Sequence, residues 1–150
     1  MIKIQELGHV VLYVTNLEKV SRFYRETLGF REIANDFPLA AFSSSRTHHE
    51  LLLIEIGGQP KEASHKASPG LYHIGFKVGN SKKELKKIYQ ELQKKGVPIV
   101  GTADHSVTNS IYVLDPDGNE LELYVDVSDD WKKDPKSVMK LARPLDLELE

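Results

Sequence analysis

Cysteine is absent from this 150-residue chain, which removes disulfides, thiolate nucleophiles, zinc ribbons and Cys-ligated iron–sulfur clusters together. An excess of one charge is missing too: 20 Lys and Arg stand against 22 Asp and Glu, a formal net charge of −2 without a long block of either sign. A dedicated nucleic-acid or anionic-membrane binder needs a basic face, so neither partner is expected. No apolar run approaches the roughly 20 residues of a membrane span. The opening MIKIQELGHV lacks the basic and apolar regions of a secretory signal, and no N-glycosylation sequon occurs, so a cytoplasmic protein is expected. What is present is 40% apolar and 28% charged, enough to bury a core without covalent staples. Any chemistry must come from the six His, the carboxylates, Tyr, Ser, Thr, Lys and Arg.

Self-similarity organises the chain. His9-Val-Val-Leu-Tyr-Val-Thr-Asn16 and His73-Ile-Gly-Phe-Lys-Val-Gly-Asn80 match at an offset of 64, both with the period-2 alternation of a half-buried strand. A capped amphipathic helix is predicted after each. In the first, Thr15 and Glu18 form the capping pattern, Leu17, Val20, Phe23, Tyr24 and Leu28 the apolar stripe, and Gly29 the stop. Ser81 and Glu84, then Leu85, Ile88, Tyr89 and Leu92, then Gly96 repeat this order. Three strand-like runs follow each helix: 30–34, 39–44 and 49–56, then 98–103, 110–114 and 120–127. The expectation is an α+β fold of two βαβββ modules, about 1–60 and 68–127, within one domain spanning 1–127. A Gly-, Pro- and Ser-rich loop, GGQPKEASHKASPG, separates them. The tail 128–150 carries 11 charged residues of 23; one short helix over 135–141 is predicted there, and Trp131 and Leu145, Leu147 and Leu149 suggest that it packs.

The repeat puts His9 and His73 at one point of two related strands. Because strand side chains alternate faces, His9 falls with Val11 and Tyr13, and His73 with Gly75 and Lys77. A third ligand would be a carboxylate, and Glu120 and Glu122 stand in an otherwise apolar run, where an unpaired charge is costly. A metal or a neighbouring Lys or Arg would each answer that cost.

GHVVLYVTNLEKVSRFYRETLGF, LYHIGFKV and DPDGNELELY together resemble the vicinal oxygen chelate superfamily of glyoxalases, bleomycin-resistance proteins and type I extradiol dioxygenases, over residues 4 to 127. The resemblance implies a curled mixed sheet, a half-barrel around a metal with helices outside, and implies His9, His73 and Glu122 as ligands. Two His and one carboxylate with open positions suit Fe(II), with Mn, Zn or Ni as alternatives. Gly101 to His105, Ile111-Tyr112, Asp115-Pro-Asp-Gly118 and Glu122 resemble the extradiol signature, departing from it at Ala103. Arg46-Thr-His-His-Glu-Leu51 resembles that branch's double-His segment. By that match His49 is the acid–base residue, His105 a group behind the substrate and Tyr112 a donor to the bound diol.

Taken singly these residues read blandly: His48-His49 as a strand start, His105 as a local cap, Tyr112 as packing, Asp115-Pro-Asp-Gly as a turn. Their order and spacing together favour an extradiol dioxygenase using O2 on a small aromatic diol, with a homodimer compatible with the resemblance. His48 and His65 have no assigned role. A glyoxalase-like Zn or Ni isomerase or lyase would follow if Glu55, rather than Leu52, were the counterpart of Glu122. A metal-free small-molecule binder is the third reading.

Overall fold

The computed structural model describes residues 1–61 and 69–148; His65 and Leu149 lie outside them. The chain divides into two compact units, Met1–Glu62 with Pro116–Gly118, and Ala63–Asp115 with Asn119–Glu150. Each is built on an open, curled mixed sheet, and the protein is of mixed α+β class.

In the first unit, β1 (Val10–Val14) leads to α1 (Leu17–Arg22), then to β2 (Arg31–Asp36), β3 (Leu39–Ser43) and β4 (Leu51–Glu55), in the sheet order β1-β4-β3-β2. β1 runs parallel to β4, with Val11 opposite Leu52 and Val14 opposite Glu55. Alternation turns Leu12 and Val14 of β1 inward with Leu51 and Leu53 of β4, all buried, while Val11 and Tyr13 stay exposed. α1 packs on β3 and β4, contributing the buried Leu17 and Val20.

The start of α1 differs from the predicted capping pair. Asn16 is the cap, its side chain accepting the Lys19 N–H at 2.8 Å, and Glu18 pairs with Arg22 at 3.1 Å instead. Thr15 is engaged elsewhere: its N–H and its hydroxyl both donate to Asp117, at 2.7 and 2.6 Å. The helix also stops early. A wide π turn over Phe23–Thr27 follows Arg22, inserting Tyr24, fully buried, beside Phe42. Gly29 then takes the left-handed φ of 72° that reverses the chain.

The second unit repeats the plan with β5 (His73–Gly79), α2 (Lys82–Lys94), β6 (Ile99–Asp104), β7 (Thr108–Leu114) and β8 (Glu120–Asp126), in the order β5-β8-β7-β6. Here the predicted cap holds: the Ser81 hydroxyl accepts the Glu84 N–H, and Glu84 accepts from the Asn80 N–H and the Ser81 hydroxyl. α2 packs on β5, β7 and β8, over the buried Ile111, Val113, Leu121, Leu123 and Val125. Fully burying one such side chain contributes roughly 1.5–3 kcal/mol.

The tail packs in part. β9 (Arg143–Pro144) joins the sheet beside β6, Thr102 donates to the Leu145 carbonyl at 2.7 Å, and Leu147 is buried. In place of the predicted helix over 135–141 stands a shorter 3-10 turn, Pro135–Met139, capped by the Asp134 side chain on the Lys136 N–H. Trp131 remains 45% exposed, with the Lys132 ammonium 5.6 Å from its ring.

Candidate functional site

The open face of the second sheet gathers most of the polar groups singled out in the sequence. Register sets this: Gly75 on β5 lies opposite Glu122 on β8, and Glu122 lies opposite Tyr112 on β7, so three adjacent strands present these positions to one side. His73 Nε2 is 3.2 Å from Glu122 Oε2. Glu122 Oε1 accepts from the Ser110 hydroxyl at 2.6 Å and from the Tyr112 hydroxyl at 3.3 Å. The Tyr112 oxygen is also 2.8 Å from His105 Nε2. One carboxylate oxygen is thus committed to sheet hydroxyls and the other is turned to the imidazole.

Tyr112 stays a phenol. Burial and then the neighbouring Glu122 carboxylate push its pKa far above the ordinary value, because an anion there would be desolvated and repelled. Its O–H therefore donates, and a His105 tautomer with its proton on Nε2 completes a chain from His105 through Tyr112 to Glu122. Ser110, buried and two residues before Tyr112 on the same strand face, was not singled out in the sequence. Its signal was available in the period-2 spacing from Tyr112.

In the first unit, His9 and His49 stack at 4.5 Å between ring centroids. His48 joins them, its Nδ1 2.6 Å from His49 Nδ1 and its ring 6.1 Å from His9. Burial, then the neighbouring His48 and His9, hold the His49 pKa below its ordinary value of 6.5. Glu50 accepts the N–H groups of Ser44, Arg46 and Thr47 and so shapes the loop that carries His48 and His49.

The alternative register fails. Glu55 lies opposite Val14, on the face that packs against α1, and its carboxylate accepts the Leu17 N–H at 2.7 Å, satisfying an otherwise unpaired donor at the helix start. The residue in the place of Glu122 is Leu52, opposite Val11 as Glu122 is opposite Gly75. A four-ligand arrangement that includes Glu55 is therefore not built.

Among the described residues no group of three or more His, Cys, Asp or Glu side chains is drawn together closely enough to hold a metal ion. The pair in the second unit nonetheless suits one. Two donors each about 2.1 Å from one cation and at right angles stand about 3 Å apart, close to the 3.2 Å between His73 Nε2 and Glu122 Oε2. Gly75 lies beside them, where a Cβ would be in ordinary contact with Glu122 Oε2 at 3.6 Å.

The fold and this site define a class: duplicated βαβββ units with an imidazole and a carboxylate paired on an open sheet face. The chain belongs to the Glyoxalase/Bleomycin resistance protein/Dioxygenase superfamily, whose family model matches residues 6–123. It is similar to a catechol-2,3-dioxygenase of Bacillus subtilis, 29% identical over 129 residues that make up 85% of this chain and 44% of that protein, so it spans less than half the length of this relative. It is 30% identical to the glutathione transferase FosA of Serratia marcescens over 81% of this chain and 82% of that one. Its fold matches a glyoxalase/dioxygenase crystal structure from Nostoc punctiforme with a TM-score of 0.67 at 18% identity, covering 83% of this chain and 92% of that one.

Proposed function

We propose that this chain is an Fe(II)-dependent extradiol dioxygenase that opens a catechol-type aromatic diol with O2. The observation that carries the reading is the line of groups from His105 through the protonated Tyr112 to Glu122, since an isomerase of this fold has no evident use for a phenol backed by a histidine. Similarity to a catechol-2,3-dioxygenase supports the same substrate class.

The reading takes His9, His73 and Glu122 as the iron ligands; Mn, Zn and Ni are the other cations this donor set accepts. Iron held by them would supply a Lewis acid for the diol and a redox partner for O2. His49, whose pKa burial and then the neighbouring His48 and His9 lower, accepts a proton from a diol hydroxyl and returns it as the O–O bond breaks. Tyr112 swings its O–H from the long 3.3 Å contact with Glu122 onto the anionic diol oxygen, while His105 holds the phenol in place. Both atoms of O2 end in the product: one is inserted into the C–C bond beside the diol to give a cyclic ester, and the other, as hydroxide, opens that ester to a carboxylate and an aldehyde.

The test is anaerobic loading with Fe(II) followed by catechols in air, read by the yellow ring-fission product. His49→Ala should keep iron and diol binding while kcat falls roughly 10²–10⁴-fold; loss of iron would make His49 a ligand and refute its acid–base role. The 30% identity to a glutathione transferase favours a second reading, a metal-dependent enzyme that adds glutathione to a small electrophile. No colour with any catechol, together with metal-dependent consumption of glutathione, would replace the first reading by the second.

A further inference from the structure

His73 has a carboxylate beside each ring nitrogen. Nε2 faces Glu122, and Nδ1 faces Glu120 Oε1 at 3.6 Å. Nδ1 is buried and has no hydrogen-bond partner, an arrangement that costs about 1–3 kcal/mol when left unmet. Glu120 is its nearest remedy, because it is the cross-strand partner of His73 in the β5–β8 register and needs to approach by only about 0.6 Å to reach hydrogen-bond distance. Tyr72 packs its ring on His73 at 4.7 Å.

A neutral imidazole has one N–H and can satisfy only one of two flanking carboxylates; the other nitrogen then turns a lone pair toward an anion. That conflict disappears when a cation lies between Nε2 and Glu122 and the proton resides on Nδ1. We propose that Glu120 is the positioning residue of His73: it accepts the Nδ1–H, fixes the tautomer that leaves Nε2 as a donor to a divalent cation, and holds the ring toward Glu122. The inference rests on the metal-dependent reading above but not on the diol or on oxygen chemistry. Outer partners of this kind typically carry 10–100-fold in metal affinity.

The experiment uses Zn(II) alone as the probe, with the full chain, and has two readouts: affinity by competition with a chelator, and the ring N–H proton of His73 in the 1H–15N spectrum of the Zn-loaded protein. The parent should show a slowly exchanging Nδ1–H. Glu120→Ala should lose that signal and weaken Zn(II) binding 10–100-fold. Glu120→Gln, which removes the charge but keeps an oxygen acceptor, should restore the signal and recover part of the affinity, an outcome a purely electrostatic role would not give. Glu120→Ala with affinity within twofold of the parent and the Nδ1–H signal intact would overturn the inference and leave the dioxygenase reading standing. A parent that takes up no divalent cation would overturn both. Zn(II) binding with the expected Glu120 response, but no turnover of diols after iron loading, would overturn the dioxygenase reading alone.

Discussion

The two βαβββ units share a strand order and a register, yet equivalent positions do different work. His9 and His73 are counterparts, each one residue before an inward-turned apolar residue of its strand. Opposite His73 stands Glu120, facing its Nδ1. The counterpart of Glu120 is Glu50, whose carboxylate accepts from the loop donors of Ser44, Arg46 and Thr47, while the His9 ring lies against His49 at 4.5 Å, tilted by 35°. Where the second unit has Gly75 and Glu122, the first has Val11 and Leu52. Duplication supplied one scaffold twice; the chemistry lies in the few places where the copies no longer match. The second copy carries a carboxylate and hydroxyls on its open face, and the first carries a cluster of imidazoles.

The largest effect should come from making the second unit resemble the first. Glu122→Leu installs the residue its counterpart has, and metal uptake and turnover should both be lost, beyond the 10–100-fold that outer partners carry; Zn(II) competition and the yellow-product assay measure the two. Retained metal binding would mean that the divergence at this position is not what makes the site. Below this come the cores, where the copies should behave alike. Leu53 and Leu123 occupy matching inward positions and are 0% and 1% exposed. Each change to Ala should cost about 2–5 kcal/mol in denaturant unfolding. A loss below about 1 kcal/mol at either site would show that its unit is not held by the apolar layer under the helix.

The repeat and its two βαβββ units were legible in the sequence because period-2 alternation over 9–16 and 73–80 leaves a single way to bury the apolar residues. The grouping of His73, Glu122, Tyr112 and His105 was implied by the resemblance to the extradiol pattern rather than by alternation, and the distances among them agree with it. The failures were of longer range. Thr15 has the right chemistry for a cap, but a buried carboxylate 102 residues away takes both of its donors, and Asn16 caps in its place. The π turn after Arg22 follows from the burial of Tyr24, a packing event that a helical stripe does not encode. Glu55 could not be assigned to a face until the parallel register of β1 and β4 was known, since a slip of one residue exchanges the faces of a strand. Ser110 went unnoticed because its spacing from Tyr112 marks the face the two share but not its reach to Glu122, which lies diagonally across the ladder while Tyr124 stands directly opposite.

The turn Asp115-Pro-Asp-Gly118 sharpens the contrast between local punctuation and long-range constraint. Gly29 and Gly118 both have positive φ, 72° and 80°, but a Cβ on Gly29 meets nothing within 4 Å, whereas one on Gly118 would come 2.6 Å from the Lys61 carbonyl oxygen. Lys61 in turn donates its N–H to the Asp117 carbonyl at 3.0 Å. Gly29→Ala should therefore cost roughly 1 kcal/mol from backbone strain alone, and Gly118→Ala about 2–4 kcal/mol from strain plus overpacking. Equal losses in thermal or denaturant unfolding would show that the Lys61 contact yields without cost.

The smallest effect concerns the carboxylate the first unit diverted from its histidine. Burial pushes the Glu50 carboxyl up, but the Ser44 N–H and hydroxyl, with the Thr47 N–H and the Ser43 hydroxyl, outweigh it and hold the pKa below the usual 4.5. A carboxyl whose pKa is lower folded than unfolded contributes stability that is fully present above the unfolded value and is lost as pH falls through the folded one. Glu50→Gln leaves a single acceptor oxygen where Glu50 uses both of its own, and turns an amide donor toward the loop N–H groups. The substitution should lower stability by about 1 kcal/mol at pH 7, with the difference from the parent shrinking as pH drops below about 4.5. Parallel thermal unfolding curves across that range decide the matter: a difference that stays constant with pH would mean that the ionised carboxylate is not what holds the His48–His49 loop, and that the contrast with Glu120 is one of position rather than of charge.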